Sequence, residues 1–503
     1  MMSSLFIGAT GLKSQSEGMA AVSNNLSNVN TVSYKQISLQ FSDLLGSYLA
    51  SSGSTWSTGT GQVGAGAAVS SVRTLFTQGA IENTTQSTDL AIAGKGFFGV
   101  YSNGEVRYTR AGNFSFTSAG ALVDSNGWTV MGRLISGGAE ASSASPLVLD
   151  FSGSGIGSMA GKASTQVTVG SNLGGLEDAA SDAANPYFAL ASSWQGASAI
   201  PLAGGSYSYA EAFSFYDTDG TMRTGTIYYD GAGSSGGMSA VEYVVALDDP
   251  SLDGSSLAGT QAVGLLMAGT LTFNSSGELV NMTAFTPPAS GDPADLSGWT
   301  AADLSNGLPA LTVTLQGGQS QTIGLNMGLT LSGSAANGLS SAAEAAALPE
   351  VVFAANTNAA RGASTATAYG DSAYTILSGG DGYAQGVFRS FSINAEGVLT
   401  GSYSNGQTQD LCRVTLYRFV SEDGLKSMGG NQYAATFESG AAEEGVAGEE
   451  NFGDIEQYAL EQSNVDYAVE FSNLIITQRA FQMNSKVITT SDAMLQKALE
   501  IKR

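Results

Sequence analysis

Apolar residues recur every seven positions at both ends of this chain. Near the C-terminus one row is Leu474, Phe481, Ile488 and Leu495; a second is Ala480, Val487, Met494 and Ile501. Between them lie Thr477, Asn484, Ser491 and Ala498, small or short and mostly polar. A sustained seven-residue repeat is the coiled-coil period, and two ridges beside a shallow valley suit a helix with more than one neighbour. The last 47 residues, Gln457 to Arg503, hold no Gly and no Pro in a chain with 66 Gly, so the pattern predicts one continuous helix. From Val465 onward it would be roughly 58 Å long. The alternative, an amphipathic helix lying on its own domain, fits strict heptads of this length less well. At the N-terminus Leu5, Leu12, Met19 and Leu26 keep the same step, with Ala9, Val22 and Val29 on nearby turns. This helix is predicted to stop near Asn28-Val29-Asn30-Thr31, where Asn side chains compete for backbone bonds. Gly8, Gly11 and Gly18 weaken it by about 1 kcal/mol each relative to Ala, so it is expected to order only on packing.

Between the ends the period changes. Residues 32–71 read as an extended or loop-like connector, from Tyr34-Lys35 through Phe41, Leu44 and Leu45 into a Ser/Thr/Gly coil at Ser51–Gly66. Residues 72–145 are strand and turn. Phe97-Phe98-Gly99-Val100-Tyr101 runs into Asn103-Gly104 and out through Val106-Arg107-Tyr108, a strong hairpin signal, and Asn126-Gly127 marks another turn. One unit appears three times: Phe114–Val123, Leu271–Val280 and Phe391–Thr400 each read strand, turn with Gly at the same offset, strand. All nine prolines lie between Pro146 and Pro349, which sets the central block apart. Strands are expected there at Ala212–Tyr216, Thr224–Tyr229, Ala240–Leu247 and Ala310–Leu315; the Ala-rich 335–361 stretch fits a short helix or a loop. The inner β pattern resumes from Gly380 to about Phe437, and residues 438–453 lead into the final helix.

The predicted fold is multidomain α+β: paired, coiled-coil-like terminal helices with discontinuous, nested all-β domains between them. The helices take residues 1–31 and 457–503, and the connector 32–71 and 438–456. The inner β domain takes 72–145 and 380–437; the inserted outer β material, one domain or two, takes 146–379. The chain goes out and comes back, so its ends meet.

Charge sharpens that picture. The net charge is −24, yet residues 1–45 (Lys13, Lys35, Glu17, Asp43) sum to zero, and so do the five basic and five acidic residues of 457–503. The acidic surplus is confined to the middle, which repels nucleic acid and anionic membrane, while neutral ends crowd against copies of themselves without repulsion. Neither nucleic acid nor membrane is therefore expected as a partner. With no His and one Cys, His-based metal sites and Ser-His or Cys-His catalysis are absent. Cys412 reads as a small buried strand residue that cannot form an internal disulfide. No secretory leader is expected, since Leu5-Phe6-Ile7 is far too short for the apolar core of one, and no run approaches the ~20 apolar residues that span a bilayer.

Three patterns imitate chemistry. Gly94-Lys95-Gly96-Phe97-Phe98-Gly99 and Gly59, Gly61, Gly64 fit a dinucleotide fingerprint, but one opens a hairpin and the other lies in coil. Asp217-Thr218-Asp219-Gly220 resembles part of a calcium loop, but its twelfth position is Tyr228 rather than Glu, so a turn is expected. No pair of carboxylates stands out for glycoside hydrolysis. No catalytic, cofactor or metal site is expected. The candidate functional residues are the assembly positions Leu5, Leu12, Met19, Leu26, Leu474, Phe481, Ile488, Leu495, Ala480, Val487 and Met494.

Asn24-Asn25-Leu26-Ser27-Asn28-Val29-Asn30-Thr31 with Tyr34-Lys35 resembles the N-terminal signature of bacterial flagellar rod and hook proteins. Asp89-Leu90-Ala91-Ile92-Ala93-Gly94-Lys95-Gly96-Phe97-Phe98, then Tyr108–Phe114, resembles that family's core β signature. Ser463–Asp466, Phe471–Ile475 and Gln478–Ser485 resemble its C-terminal one. Ser404-Asn405-Gly406-Gln407, the approach to Tyr433 and the large insertion look like the hook branch rather than the rod branch, a distal rod protein being the alternative. From another class, a secreted β-rich adhesin would bind through the middle and need no heptads at both ends. The resemblance implies a homopolymeric helical tube that couples rod to filament and passes torque. It implies rod, hook-cap and hook–filament junction proteins and the flagellar export apparatus as partners. It places the chain in the flagellar basal body and hook, outside the cell after export without a cleaved leader.

Overall fold

The computed structural model describes residues 2–44, 47–48, 62–151, 155–179, 187–363, 365–449 and 451–501. Gly59, Gly61, Leu45, most of the Ser51–Gly66 coil and the side chain of Ile501 lie outside the described residues. The chain divides into two compact units, residues 1–158 with 387–503, and residues 159–386.

In the first unit the N-terminal helix runs Met2–Ser27 and stops where expected: Asn28 N–H donates to the Asn24 and Asn25 carbonyls, and its side chain donates to Asn24 as well. Strand Ile37–Asp43 then pairs antiparallel with Ala67–Thr74 in a two-stranded arm. The β body is built around Phe97–Ser102 and Glu105–Thr109, joined by Asn103 (φ 51°) and Gly104 (φ 88°). Positive φ at both turn residues is the type I′ geometry that matches strand twist. Thr129–Ser136, Thr408–Val414, Leu416–Arg418 and Gln432–Ala434 extend the sheet. Leu90, Ile92, Phe98, Val130, Leu399, Cys412, Val414 and Ile455 fill its main core. Cys412 is fully buried on its strand, and burial pushes its thiol up to about 12.

Three segments differ from expectation. Residues 457–466 are not helix: Asp454–Gln457 pairs with Leu90–Ala93, and Ala459–Glu461 pairs with Ile81–Asn83. Ile455, Ala459 and Glu461 alternate inward with period two, which overrides the absence of helix breakers. The C-terminal helix starts later, at Tyr467, and runs to Ile501, 35 residues or about 52 Å. The stretch 438–456 is not a bare connector, since Glu443–Gly445 pairs with Leu416–Arg418 and Ala447 sits in the core. The insertion's bounds shift at both ends: residues 146–158 belong to the first unit, where Leu147 and Leu149 are core residues, and 380–386, expected in the inner β domain, belong to the second, with Gly380 paired to Val167.

The second unit carries a six-stranded antiparallel meander (Tyr209–Tyr216, Met222–Ser235, Met238–Leu247, Leu265–Phe273, Leu279–Thr286, Thr300–Ala301) and a five-stranded sheet. One face of the meander packs Phe215, Tyr229, Tyr243 and Met267 together with Leu311, Ile323 and Val167 of the other sheet. Its other face is covered by Phe188, Trp194, Trp299 and two short helices, Ala342–Ala347 and Pro349–Val352. The Ala-rich stretch therefore does form helix, capped by Ser341, whose hydroxyl accepts from Glu344 N–H. The insertion is one compact unit.

The repeated hairpin occurs in both units with one register: Phe116 opposite Leu122, Phe273 opposite Leu279, Ile393 opposite Leu399. Each turn closes on a glycine, Gly120, Gly277 or Gly397, with φ of 80°, 75° and 77°. The Asp217 loop is a turn of the same kind: its carboxylate accepts from Asp219 and Thr221 N–H and pairs with Arg223 at 3.0 Å. In the Gly94–Gly99 motif, the carbonyls of Gly94 and Gly96 accept from the Arg110 guanidinium, so they face a protein cation rather than offering N–H groups to phosphate.

Candidate functional site: the terminal helices and their anchor

The two terminal helices lie antiparallel. Ser4 and Ser491 hydroxyls are 3.2 Å apart at one end, and Gly18 faces Thr477 towards the other. The glycines that weaken the N-terminal helix are its contact surface. A Cβ at Gly8 would sit 2.8 Å from Ile488 Cγ1, and one at Gly11 would sit 2.9 Å from the Asn484 amide. Thr477, Asn484 and Ser491, the valley between the two apolar rows, are the residues that receive this helix. Small residues on both sides let the backbones approach, and loss of side-chain bulk is compensated by close packing.

The sequence-predicted positions divide accordingly. Leu5, Leu12, Met19, Leu26, Leu474, Ala480, Phe481, Ile488 and Leu495 are half-buried, and of these Ile488 meets Gly8 directly. Val487 and Met494 are exposed. They join Val469, Ile476 and Met483 on a flank left uncovered within the chain, with Ile476 and Met483 each 65% exposed. Seven-residue spacing from Val469 to Ile476 to Met483 keeps these on one side of the helix.

Below the helices sits an anchor that heptad reasoning did not find. Glu461 is fully buried; its Oε1 is 2.6 Å from Lys35 Nζ and accepts Gly79 N–H, and its Oε2 is 2.8 Å from Arg110 Nε. Lys35 also donates to Thr77 O at 2.8 Å. Two cations share one carboxylate. Burial alone would raise the Glu461 carboxyl, but Arg110 and Lys35 outweigh it and hold it below the usual glutamate range. Burial, with Arg110 nearby, lowers the Lys35 ammonium against the pull of Glu461. Asn464 adds a second tie: its Oδ1 accepts Gln36 N–H at 2.8 Å, and its Nδ2 donates to Leu75 O at 2.8 Å. Asn25, 1% exposed, pairs with Ile37 like a strand residue, accepting its N–H and donating to its carbonyl at 2.9 Å each. Asp466 caps the C-terminal helix, accepting from Ala468 and Val469 N–H. The clue in the sequence was polar: Lys35 next to the Asn-rich helix end, and an acid alternating with apolar residues before Ser463.

Among the described residues no helix is long and apolar enough to cross a membrane, and no group of three or more acidic or Cys side chains is placed to hold a metal ion.

A pair of small-residue-seamed terminal helices, pinned to a β body that is itself split by a β insertion, defines a class of polymer-forming axial proteins. Family comparisons fit that class along the chain. Residues 5–35 match the flagella basal body rod protein family, 91–172 the flagellar hook protein FlgE/F/G D1 domain, 190–383 the flagellar basal body protein FlaE D2 domain, and 456–501 the flagellar basal body rod FlgEFG protein C-terminal family. The chain belongs to the flagellar rod and hook protein family. Within it, the chain is similar to the flagellar hook protein FlgE of Borreliella burgdorferi, 28% identical over 100% of both chains, and to that of Treponema pallidum, 29% identical over 100% of both. A crystal structure of Helicobacter pylori flagellar hook protein FlgE2 aligns with 76% of this chain and 100% of its own, at 14% identity and a TM-score of 0.43.

Proposed function

We propose that this chain is the structural subunit of a bacterial flagellar hook, assembling through its terminal helices into a flexible tube that passes torque from rod to filament. The observation that carries this reading is the uncovered apolar flank of the C-terminal helix, where Val469, Ile476, Met483, Val487 and Met494 form one continuous row. A contact of one flank with a different face of the next copy, repeated with rotation and rise, gives an open helical polymer rather than a closed ring. The rod, the hook cap, the hook–filament junction proteins and the export apparatus are the partners, and the chain works outside the cell after export without leader cleavage. Residues 1–30 and 465–503 order only on assembly, because the helix pair alone leaves too much apolar surface in water.

Electron microscopy of the purified full chain tests this. Bent hollow tubes are expected; straight, stiff tubes would favour the distal-rod alternative, and isolated monomers at all concentrations would overturn both. Hydrogen exchange on the monomer should show weak protection at both ends; strong protection there would remove the ordering step.

A further inference from the structure

A cavity of about 310 Å³ opens between the N-terminal helix, the strand that follows it and the first turns of the C-terminal helix. Gln15, Gly18, Gln36, Phe41, Glu470 and Asn473 line it. Glu470 is 2% exposed. One of its oxygens accepts from the Gln36 side chain, while Oε2 has no hydrogen-bond partner among the described residues. Burial, with this carboxylate second, pushes up the nearby Tyr34 phenol. A buried carboxylate oxygen without a donor is rare in a finished structure and marks a missing partner. The terminal helices carry unused cations to match: the side chains of Lys13, Arg479 and Lys486 are exposed and make no ion pair among the described residues.

We infer that this cavity is a socket for a cationic side chain from a second copy of the chain, with Glu470 as its counter-ion. Arg479 is the occupant. Its planar fork carries several donors, enough for Glu470 Oε2 and a neighbouring side-chain carbonyl of Gln15 or Asn473 together, which a lysine ammonium serves less well. Repeated along the polymer, the contact joins the socket of one copy to a cation nine residues further along the helix of the next, a heterologous arrangement. It therefore fixes the axial offset between neighbouring copies, which the apolar flank, repeating every seven residues, leaves ambiguous by a heptad.

The inference rests on the polymer reading, and the test separates the two. The critical concentration for tube formation is measured for the full chain, Glu470→Gln, Arg479→Gln and the double variant. Each single change is expected to raise it about tenfold or more, and the double change no further than the worse single one, the signature of partners in one contact. Arg479 is exposed in the monomer, so Arg479→Gln leaves the monomer melt unchanged even if Glu470→Gln does not. Normal assembly of Glu470→Gln would mean that water satisfies the orphan oxygen and would overturn the socket alone. Multiplying effects would do the same, and non-additivity with Lys13→Gln or Lys486→Gln would overturn the Arg479 assignment. A wild-type chain that never self-associates would overturn both readings.

Discussion

The meander of the second unit and the C-terminal helix are both long and apolar, yet they are treated in opposite ways. The strands Met238–Leu247 and Leu265–Phe273 are buried on both faces, with aromatic residues on one side and short helices on the other. The helix covers only the side that meets Gly8, Gly11 and Gly18 and leaves Ile476, Met483, Val487 and Met494 to water. The sheet is complete as a monomer. The helix is half of an interface. Burial within the chain therefore separates what holds each subunit together from what holds subunits to one another.

That contrast can be broken from either side. Phe215→Ala, in the sealed core, should cost about 3–5 kcal/mol by denaturant unfolding of the second unit. Glu461→Gln leaves two buried cations sharing no full negative charge and should destabilise the first unit by a similar amount, about 3–5 kcal/mol. The same change also alters the acid response. A carboxyl held below its ordinary value stabilises the fold fully above pH ~4.3 and loses that contribution as pH falls through its folded value. Wild-type melts should drop below about pH 4, and those of the variant should drop less. Gly11→Ala adds a methyl where the Asn484 amide stands 2.9 Å away, so tubes should melt earlier by an amount equivalent to about 1–3 kcal/mol per subunit, despite the better helix propensity of Ala. Met483→Asp should change monomer unfolding by less than about 0.5 kcal/mol while abolishing tubes; intact tubes from this variant would erase the distinction drawn above. Smallest of all, Cys412 should take up no iodoacetamide in the folded chain at pH 8, since its thiol is buried and stays protonated.

Much of this was readable from residue order. Heptads announced both helices, Asn103-Gly104 announced its hairpin, and the shared turn of Phe114–Val123, Leu271–Val280 and Phe391–Thr400 proved to be one register. What escaped was of two kinds. Residues 457–466 avoid Gly and Pro but alternate rather than following a helical period, and the weaker signal was the correct one. The glycines of the N-terminal helix read as defects because propensity is local, whereas their use depends on partners at the far end of the chain, Ile488, Asn484 and Thr477. The Glu461 anchor is of the same sort: no local pattern links an acid to a lysine 426 positions earlier.

That anchor has a mechanical side. Lys35 follows the N-terminal helix by a few residues, and Glu461 precedes the C-terminal helix by a few. A pull along either helix enters the β body beside the same carboxylate. The two ends of the chain then share one load point, backed by the antiparallel pair Ile81–Asn83 and Ala459–Glu461 on which the carboxylate itself sits.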